Sequence, residues 1–155
     1  QKIFENGDGR FLSHYFDSRL FLPRVKAQTK KQALKTICRA VGSYRSVPDD
    51  FFELVMKREA MGQTDFGNRV AIPHPYQILG GGKFVMAAIL EQPVFWGHHD
   101  VQVVFLISLA EQDPDAEDFY RTITNYLSDP GLVDKTIATR TFHCLMDCLQ
   151  EAARR

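Results

Sequence analysis

The chain has 155 residues, 45% of them hydrophobic, and its 19 basic and 19 acidic side chains cancel at neutral pH. This length suits one domain with a core of its own, and the neutral charge argues against a domain that binds nucleic acid or an anionic membrane surface. No membrane span, signal peptide or disulfide framework is evident, so we expect a cytoplasmic protein with reduced thiols.

The chain starts with QKIFENGDGRF, which carries turn-forming residues ahead of any periodic segment. Such a start is typical of a linker cut from a longer protein, so we predict a linker remnant at residues 1–11 and a single domain at residues 12–155. The first strand is predicted from Leu20 to Ala27. Pro23 favours a position at the sheet edge, because proline lacks the N–H that a central strand needs.

Two helices are predicted next. The first starts at a capping box, Thr29–Gln32, and ends at Gly42. Its inner face is predicted to comprise Ala33, Leu34, Ile37, Cys38 and Val41. The second helix is predicted to have Ser46 as its N-cap and Pro48 in its first turn, and to run to Gly62.

Three short runs rich in Val, Ile and Phe then predict the main strands: RVAI, KFVMAAIL and VQVVFLISL. The last two are almost continuously hydrophobic, as expected of central strands covered on both faces. Helices are predicted again near Phe119, from Asp129 with Pro130, and from Thr139. Their inward residues include Ile123, Leu127, Phe142, Leu145, Met146 and Leu149. This order predicts the α/β class: a three-layer α/β/α sandwich with a mixed β-sheet and helices on both faces.

The glycine-rich segment LGGGKF does not predict a nucleotide site. It departs from the phosphate-loop pattern, because Gln77 stands where a glycine is required and Phe84 replaces the Ser or Thr after Lys83. The histidines and cysteines likewise lack the spacing of a metal-ligand set, so no metal site is predicted.

The segment FGNRVAIPHP places His74 between two prolines, directly after the apolar run RVAI. Pro73 fixes its own φ and Pro75 disfavours a helical backbone at His74, so the backbone that carries the imidazole is stiff and extended. Binding sites of open α/β sheets are found where strands end. The pattern alone leaves two readings open: a nucleophile or proton carrier, or a solvated histidine in a turn.

A longer segment, KREAMGQTDFGNRVAIPHP, resembles the signature of the mannitol/fructose-type (type 2) enzyme IIA domains of the bacterial phosphoenolpyruvate-dependent sugar phosphotransferase system (PTS). In that family a helix ends in an Arg-Glu pair and a loop with Thr and Gly follows. A strand then delivers Ala-x-Pro-His, whose histidine takes a phosphoryl group from the phosphocarrier protein HPr. The similarity in the kind and order of segments extends over roughly residues 12–150.

This resemblance implies that His74 is the phosphoacceptor and that Arg58 is the cation beside the phosphoryl group. A guanidinium suits that role, because a phosphohistidine carries close to two negative charges. We also expect one ring N–H of His74 to bind a backbone carbonyl, which leaves the other nitrogen free to attack. Thr64, Gly67 and Asn68 are expected either to shape the loop that faces the histidine or to serve only the turn itself. The chemistry requires no metal and no cofactor.

One departure from the family pattern concerns a second histidine, which transport members commonly carry just before the helix that follows the last apolar strand. This chain has EQDPDAEDFY there. If Asp115, Glu117 or Asp118 faced His74, its carboxylate would repel a phosphoryl group. The departure therefore favours regulation over sugar transport.

The family also occurs as the C-terminal module of sugar-operon transcription regulators of the antiterminator-like or activator type. We therefore predict a phosphorylatable domain that signals sugar availability within such a regulator. The resemblance implies HPr as a partner, with enzyme IIB and the other domains of the regulator as further candidates, and no contact with nucleic acid or membrane. Two alternatives stay open: a phosphoryl-carrier component of a fructose/mannitol-type transporter, and an interaction module that is never phosphorylated.

Overall fold

A computed structural model describes residues 9–155, and most of the predicted linker, residues 1–8, lies outside the described residues. The described chain begins with a short 3₁₀ helix, Arg10–His14. The strands are β1 Phe21–Val25, β2 Val70–Ala71, β3 Phe84–Phe95 and β4 Asp100–Ser108. The α-helices are α1 Lys30–Gly42, α2 Phe51–Glu59, α3 Ala116–Leu127, α4 Pro130–Thr139 and α5 Phe142–Ala153. None of the helices in residues 9–155 is long and apolar enough to span a bilayer.

The strands form one mixed sheet in the order β1-β3-β4-β2. The long central strands β3 and β4 are antiparallel, whereas β1 is parallel to β3 and β2 is parallel to β4. One face of the sheet packs under α1 and α2, and the other face packs under the 3₁₀ helix, α3, α4 and α5. This arrangement confirms the predicted three-layer α/β/α sandwich and the edge position of the strand that contains Pro23.

The hydrophobic runs of β3 and β4 have a simple origin. Successive residues of β3 alternate between two cores, with Val85 and Ala87 under α3 and Met86 and Ala88 under α1. A strand covered on both faces has no solvent side, so both sets of alternate side chains are apolar.

The start and inner face of α1 follow the prediction. The Thr29 hydroxyl accepts a hydrogen bond from the Gln32 N–H at 3.1 Å, and the Gln32 side chain accepts one from the Gln28 N–H at 2.8 Å. The two side chains thereby fix the first turn of the helix. The buried residues of α1 are the five predicted ones: Ala33, Leu34, Ile37, Cys38 and Val41.

The predicted start of α2 is wrong. The helix begins at Phe51, and Asp50 occupies the N-cap position without a side-chain cap bond. Because Pro48 disfavours a helical backbone at Val47, the helix cannot extend back to Ser46. The Pro48 carbonyl instead accepts a hydrogen bond from the Phe51 N–H at 3.0 Å, which closes a turn before the helix.

Asp129 starts α4 as predicted, since its carboxylate accepts a hydrogen bond from the Gly131 N–H at 2.9 Å. The last helix, α5, starts later than predicted: its N-cap is Thr141, and Thr139 is the final residue of α4. Between them Arg140 has a left-handed backbone, with φ of 57°. That conformation ends one helix and lets the next begin.

Replacing Thr29 with alanine is expected to lower the free energy of unfolding by about 1 kcal/mol, because the Gln32 N–H loses its acceptor. Urea denaturation measures the change. The control is Thr36→Ala, at an exposed position in the middle of the same helix, which is expected to be neutral or slightly stabilising. Equal losses in the two variants would contradict the capping role.

Candidate functional site

His74 lies at the carboxyl end of β2, an edge strand of the sheet. The parallel pairing with β4 continues past the end of β2, since the Pro73 carbonyl accepts a hydrogen bond from the Ile107 N–H at 3.0 Å. Pro73 and Pro75 are buried, whereas His74 is half-buried. The backbone on both sides of the histidine is therefore fixed, while its ring remains partly accessible.

The imidazole of His74 is oriented by one hydrogen bond. Its Nδ1 lies 3.1 Å from the Ile72 carbonyl oxygen. A carbonyl oxygen can only accept, so Nδ1 carries the ring hydrogen, as expected from the sequence. No hydrogen bond within residues 9–155 engages Nε2. Its lone pair is therefore available to attack an electrophile.

A cavity of about 110 Å³ opens beside His74. Its lining is mostly apolar and comprises His74, Pro75, Tyr76, Gln77, Ile78, Ile107 and Leu109. Pockets that enclose a drug-sized molecule have roughly 300 to 1,000 Å³. The cavity therefore suits one small group presented by a partner molecule rather than an entire substrate.

Arg58 lies at the end of α2, and the segment that follows runs antiparallel along the free edge of β2. The Ile72 N–H donates to the Thr64 carbonyl at 2.9 Å in this pairing. Nη1 of Arg58 donates to the Gly62 carbonyl at 3.1 Å. The guanidinium is therefore held beside the turn that leads from α2 to this edge of the sheet.

A second contact ties α2 to the segment that contains His74. The Tyr76 N–H donates to the Leu54 carbonyl at 2.9 Å, and the Lys57 ammonium lies 4.1 Å from the centre of the Tyr76 ring. Leu54 and Arg58 are four residues apart in one helix, so they lie on the same face. That face of α2 meets the chain just after the histidine and adds positive charge to this region.

The side chain of Thr64 is fully buried and does not line the cavity beside His74. Its hydroxyl donates to the Glu59 carboxylate at 2.7 Å and accepts from the Trp96 indole N–H at 3.1 Å. The other carboxylate oxygen of Glu59 pairs with the Lys30 ammonium at 3.0 Å. This network joins α1, the end of α2 and the turn after β3. Glu59 thus has a structural role, which the sequence analysis did not assign.

Gly67 and Asn68 lie at the start of β2, at the other end from His74. Their φ angles of 94° and 51° form a left-handed turn, and the Asn68 amide donates to the Leu127 carbonyl at 2.7 Å. Of the segment between Asn68 and His74, only Val70–Ala71 forms a strand, and Arg69 has a left-handed backbone as well, with φ of 66°. The Asn68 amide thus ties this turn to the end of α3, and the expectation that Gly67 and Asn68 shape the loop facing the histidine stays a prediction.

The acidic loop after β4 is held by a group of side chains that the sequence analysis missed. We call it the Lys83 cluster, and it consists of His14, Tyr15, Lys83, Asp113 and Asp115. The Lys83 ammonium pairs with Asp113 and, at 2.8 Å, with Asp115, and it lies 4.4 Å from the centre of the Tyr15 ring. The Tyr15 hydroxyl donates to Asp113, and the His14 ring lies 2.7 Å from Asp115.

The cluster favours the ionised form of both carboxyl groups. Burial by itself would raise the pKa of Asp113, but hydrogen bonds from Lys83 and Tyr15 outweigh it and hold that pKa below its usual value. The hydrogen bond from Lys83, followed by that from His14, lowers the pKa of Asp115. Both carboxylates are therefore charged at neutral pH and are balanced in part by Lys83.

No carboxylate of this loop contacts His74 within residues 9–155. Asp115 pairs with Lys83, Asp118 pairs with Arg121 at 3.3 Å, and Glu117 is exposed. Any repulsion of a phosphoryl group on His74 by these carboxylates would therefore act over a distance rather than by direct contact.

The remaining histidines and cysteines form no metal site in the described part of the chain, where no group of three His, Cys, Asp or Glu residues could hold a metal ion. His98 and His99 instead donate their backbone N–H groups to the buried carboxylate of Asp65, at 3.0 and 2.6 Å. The cysteines are free.

Residues 14–152 match the sequence profile of the family described as "Phosphoenolpyruvate-dependent sugar phosphotransferase system, EIIA 2". The chain is similar to the nitrogen regulatory protein of Escherichia coli (strain K12), with 34% identity over 123 residues, which are 76% of this chain and 72% of that protein. It is also similar to the probable licABCH operon regulator of Bacillus subtilis (strain 168), with 24% identity over 140 residues, or 90% of this chain. The chain spans only 22% of the length of that regulator.

Two solved structures have a similar fold. The nitrogen regulatory protein IIA-Ntr from Neisseria meningitidis superposes with a TM-score of 0.75 and 16% identity, over 90% of this chain and 99% of that one. The complex of enzyme IIA and phosphorylated enzyme IIB of the mannitol system from Escherichia coli superposes with a TM-score of 0.67 and 17% identity. The superposition covers 88% of this chain and 99% of that one. At these identities the likeness supports the fold alone.

Replacing Thr64 with valine is expected to lower the free energy of unfolding by about 2 kcal/mol, because a buried carboxylate oxygen and the Trp96 N–H both lose their partner. The measurement is chemical denaturation. Thr139→Val, at an exposed position at the end of α4, is the matched control and should stay within about 0.5 kcal/mol of the parent. A Thr64→Val protein as stable as the control would mean that the network contributes nothing.

Proposed function

The chain belongs to the EIIA 2 family of the phosphoenolpyruvate-dependent sugar phosphotransferase system, and we propose that His74 is its phosphoacceptor. Phospho-HPr is the proposed donor. The proposed task is to signal sugar availability through the phosphorylation state of His74, within a cytoplasmic transcriptional regulator of a sugar operon. The observation that carries the proposal is the free Nε2 of a ring whose Nδ1 is bonded to the Ile72 carbonyl.

The proposed reaction is a displacement at phosphorus. The Nε2 lone pair forms an N–P bond while the bond from phosphorus to the donor nitrogen breaks, and the donor nitrogen keeps the electron pair. As positive charge develops on the ring of His74, the Ile72 carbonyl stabilises the Nδ1 hydrogen. The small cavity beside the ring suits the transferred group.

Arg58 is the proposed counter-charge. A bound phosphoryl group carries about −1.5 to −2 charges at pH 7, and a guanidinium fork can donate two hydrogen bonds to its oxygens. Within residues 9–155 Arg58 donates to the Gly62 carbonyl and pairs with no carboxylate. Its charge is thus available to the phosphoryl group.

The regulatory role is supported by the relatives, which include an operon regulator and a nitrogen regulatory protein. The sequence points the same way, because no histidine falls between His99 and His143, where transport members commonly carry a second one. A regulator needs a phosphoryl group that can be gained and lost. It does not need rapid transfer to a sugar transporter.

A phosphoryl carrier of a sugar transporter is the second candidate, since an enzyme IIA that forms a complex with phosphorylated enzyme IIB has the same fold. Transfer from the phosphorylated domain to a purified enzyme IIB separates the two roles. We expect slow or no transfer. Rapid transfer would support the carrier and count against the regulator.

Incubation with phosphoenolpyruvate, enzyme I and HPr is expected to add roughly 80 Da, the mass of one phosphoryl group, to the intact protein. His74→Ala should gain no mass because it lacks the acceptor nitrogen. His143→Ala, which removes an exposed histidine of α5, is the control and should be modified like the parent. Modification of His74→Ala would assign the acceptor elsewhere, and an unmodified parent would favour a pure interaction module.

Replacing Arg58 with alanine is expected to slow phosphorylation by phospho-HPr about 100-fold, because transition-state charge loses its counter-ion. Rapid-quench kinetics measures the rate. Arg39→Ala removes an exposed arginine of α1 and is expected to leave the rate unchanged. Similar phosphorylation rates for the two variants would show that Arg58 does not stabilise the phosphoryl group.

A further inference from the structure

The Lys83 cluster and His74 share one face of the sheet. Val85 and Ile107 are paired neighbours in β3 and β4, and both belong to the core under α3. Lys83 precedes Val85 by two residues, so its side chain points to the same face. On that face Ile107 and Leu109 line the cavity beside His74. The residues between the cluster and the histidine thus lie on one continuous, buried face of the sheet.

The sheet geometry gives the distance between the two sites. Strand β4 lies between them, so Lys83 and His74 are two strand spacings of about 4.8 Å apart across the sheet. An offset of two residues along the strands adds about 6.6 Å, which puts their Cα atoms roughly 12 Å apart. A phosphoryl group on Nε2 would lie on the order of 10 Å from the cluster, within about one Debye length at 0.1 M salt.

Lys83 offsets one of the two carboxylate charges in the cluster. One ammonium faces two carboxylates, so removing it would leave two negative charges close to a phosphoryl group that carries nearly two more. The carboxylates have little room to turn into solvent, since the Asp113 side chain is only 7% exposed and that of Asp115 is 21% exposed.

We propose that Lys83 is a positioning residue for the phosphoryl site, which offsets one of the two charges of Asp113 and Asp115 and anchors both carboxylates so that an acidic loop can adjoin a phosphohistidine. This inference rests on the proposed phosphorylation of His74. It also gives the LGGGKF segment a role: the glycines lead into β3, and the lysine after them serves the acidic loop rather than a nucleotide.

The test is the equilibrium constant for phosphoryl exchange between HPr and the domain, at fixed pH and low salt. Lys83→Met is expected to lower this constant about ten-fold, because one uncompensated charge acts on the phosphoryl group at about 10 Å. Lys83→Arg keeps the charge and should stay close to the parent. At about 1 M salt, where the Debye length is near 3 Å, the deficit of Lys83→Met should shrink. A purely structural defect would not respond to salt in this way.

Removing the acids tests the same idea with Lys83 in place. The double variant Asp113→Asn, Asp115→Asn is expected to favour the phosphorylated state more than the parent does. Combining Lys83→Met with Asp115→Asn alone keeps the cluster at the net charge of the parent and should restore the exchange constant. The double variant also keeps the test open if Lys83→Met fails to fold. Lys135→Met, at an exposed position on α4, is the charge-matched control and should leave the constant unchanged.

Unchanged exchange in Lys83→Met, or equal and salt-independent losses in Lys83→Met and Lys83→Arg, would overturn the inference while leaving His74 as the acceptor. A parent domain that takes no phosphoryl group at all would overturn the proposed function, and this inference with it.

Discussion

The hydrogen bond between His74 Nδ1 and the Ile72 carbonyl is the interaction on which the site depends. It selects the tautomer and leaves Nε2 as the nitrogen that can bond to phosphorus. It can form reliably because the two residues lie on a backbone fixed by flanking prolines and by the pairing of Pro73 with β4. A freely rotating histidine would have to order its ring before each transfer.

The end of α2 supplies the second fixed part of the site. Phosphoryl transfer demands little of a protein except positioning and charge, so the backbone that carries Arg58 must be held in place. The pairing of Thr64 with Ile72 sets this register, and the buried network of Glu59 locks the helix end to α1. The core of the domain therefore fixes the backbone both at the end of α2 and in the segment that carries His74.

The sequence predicted the features that local rules control. The cap and inner face of α1 follow from its capping box and apolar period, and the position of His74 follows from two prolines after a strand. The contact of Asn68 with Leu127 was not predicted, because it joins residues 59 positions apart. The Lys83 cluster was missed because it joins residues up to 101 positions apart, such as His14 and Asp115, and no periodic pattern records such a contact.

The most direct measurement of the central claim is long-range ¹H–¹⁵N NMR of the protein with ¹⁵N-labelled histidine, before and after incubation with phosphoenolpyruvate, enzyme I and HPr. The account predicts that His74 has its hydrogen on Nδ1 before incubation and that phosphorus is bonded to Nε2 afterwards. Phosphorus on Nδ1, or a His74 ring whose hydrogen resides on Nε2 in the free protein, would contradict it.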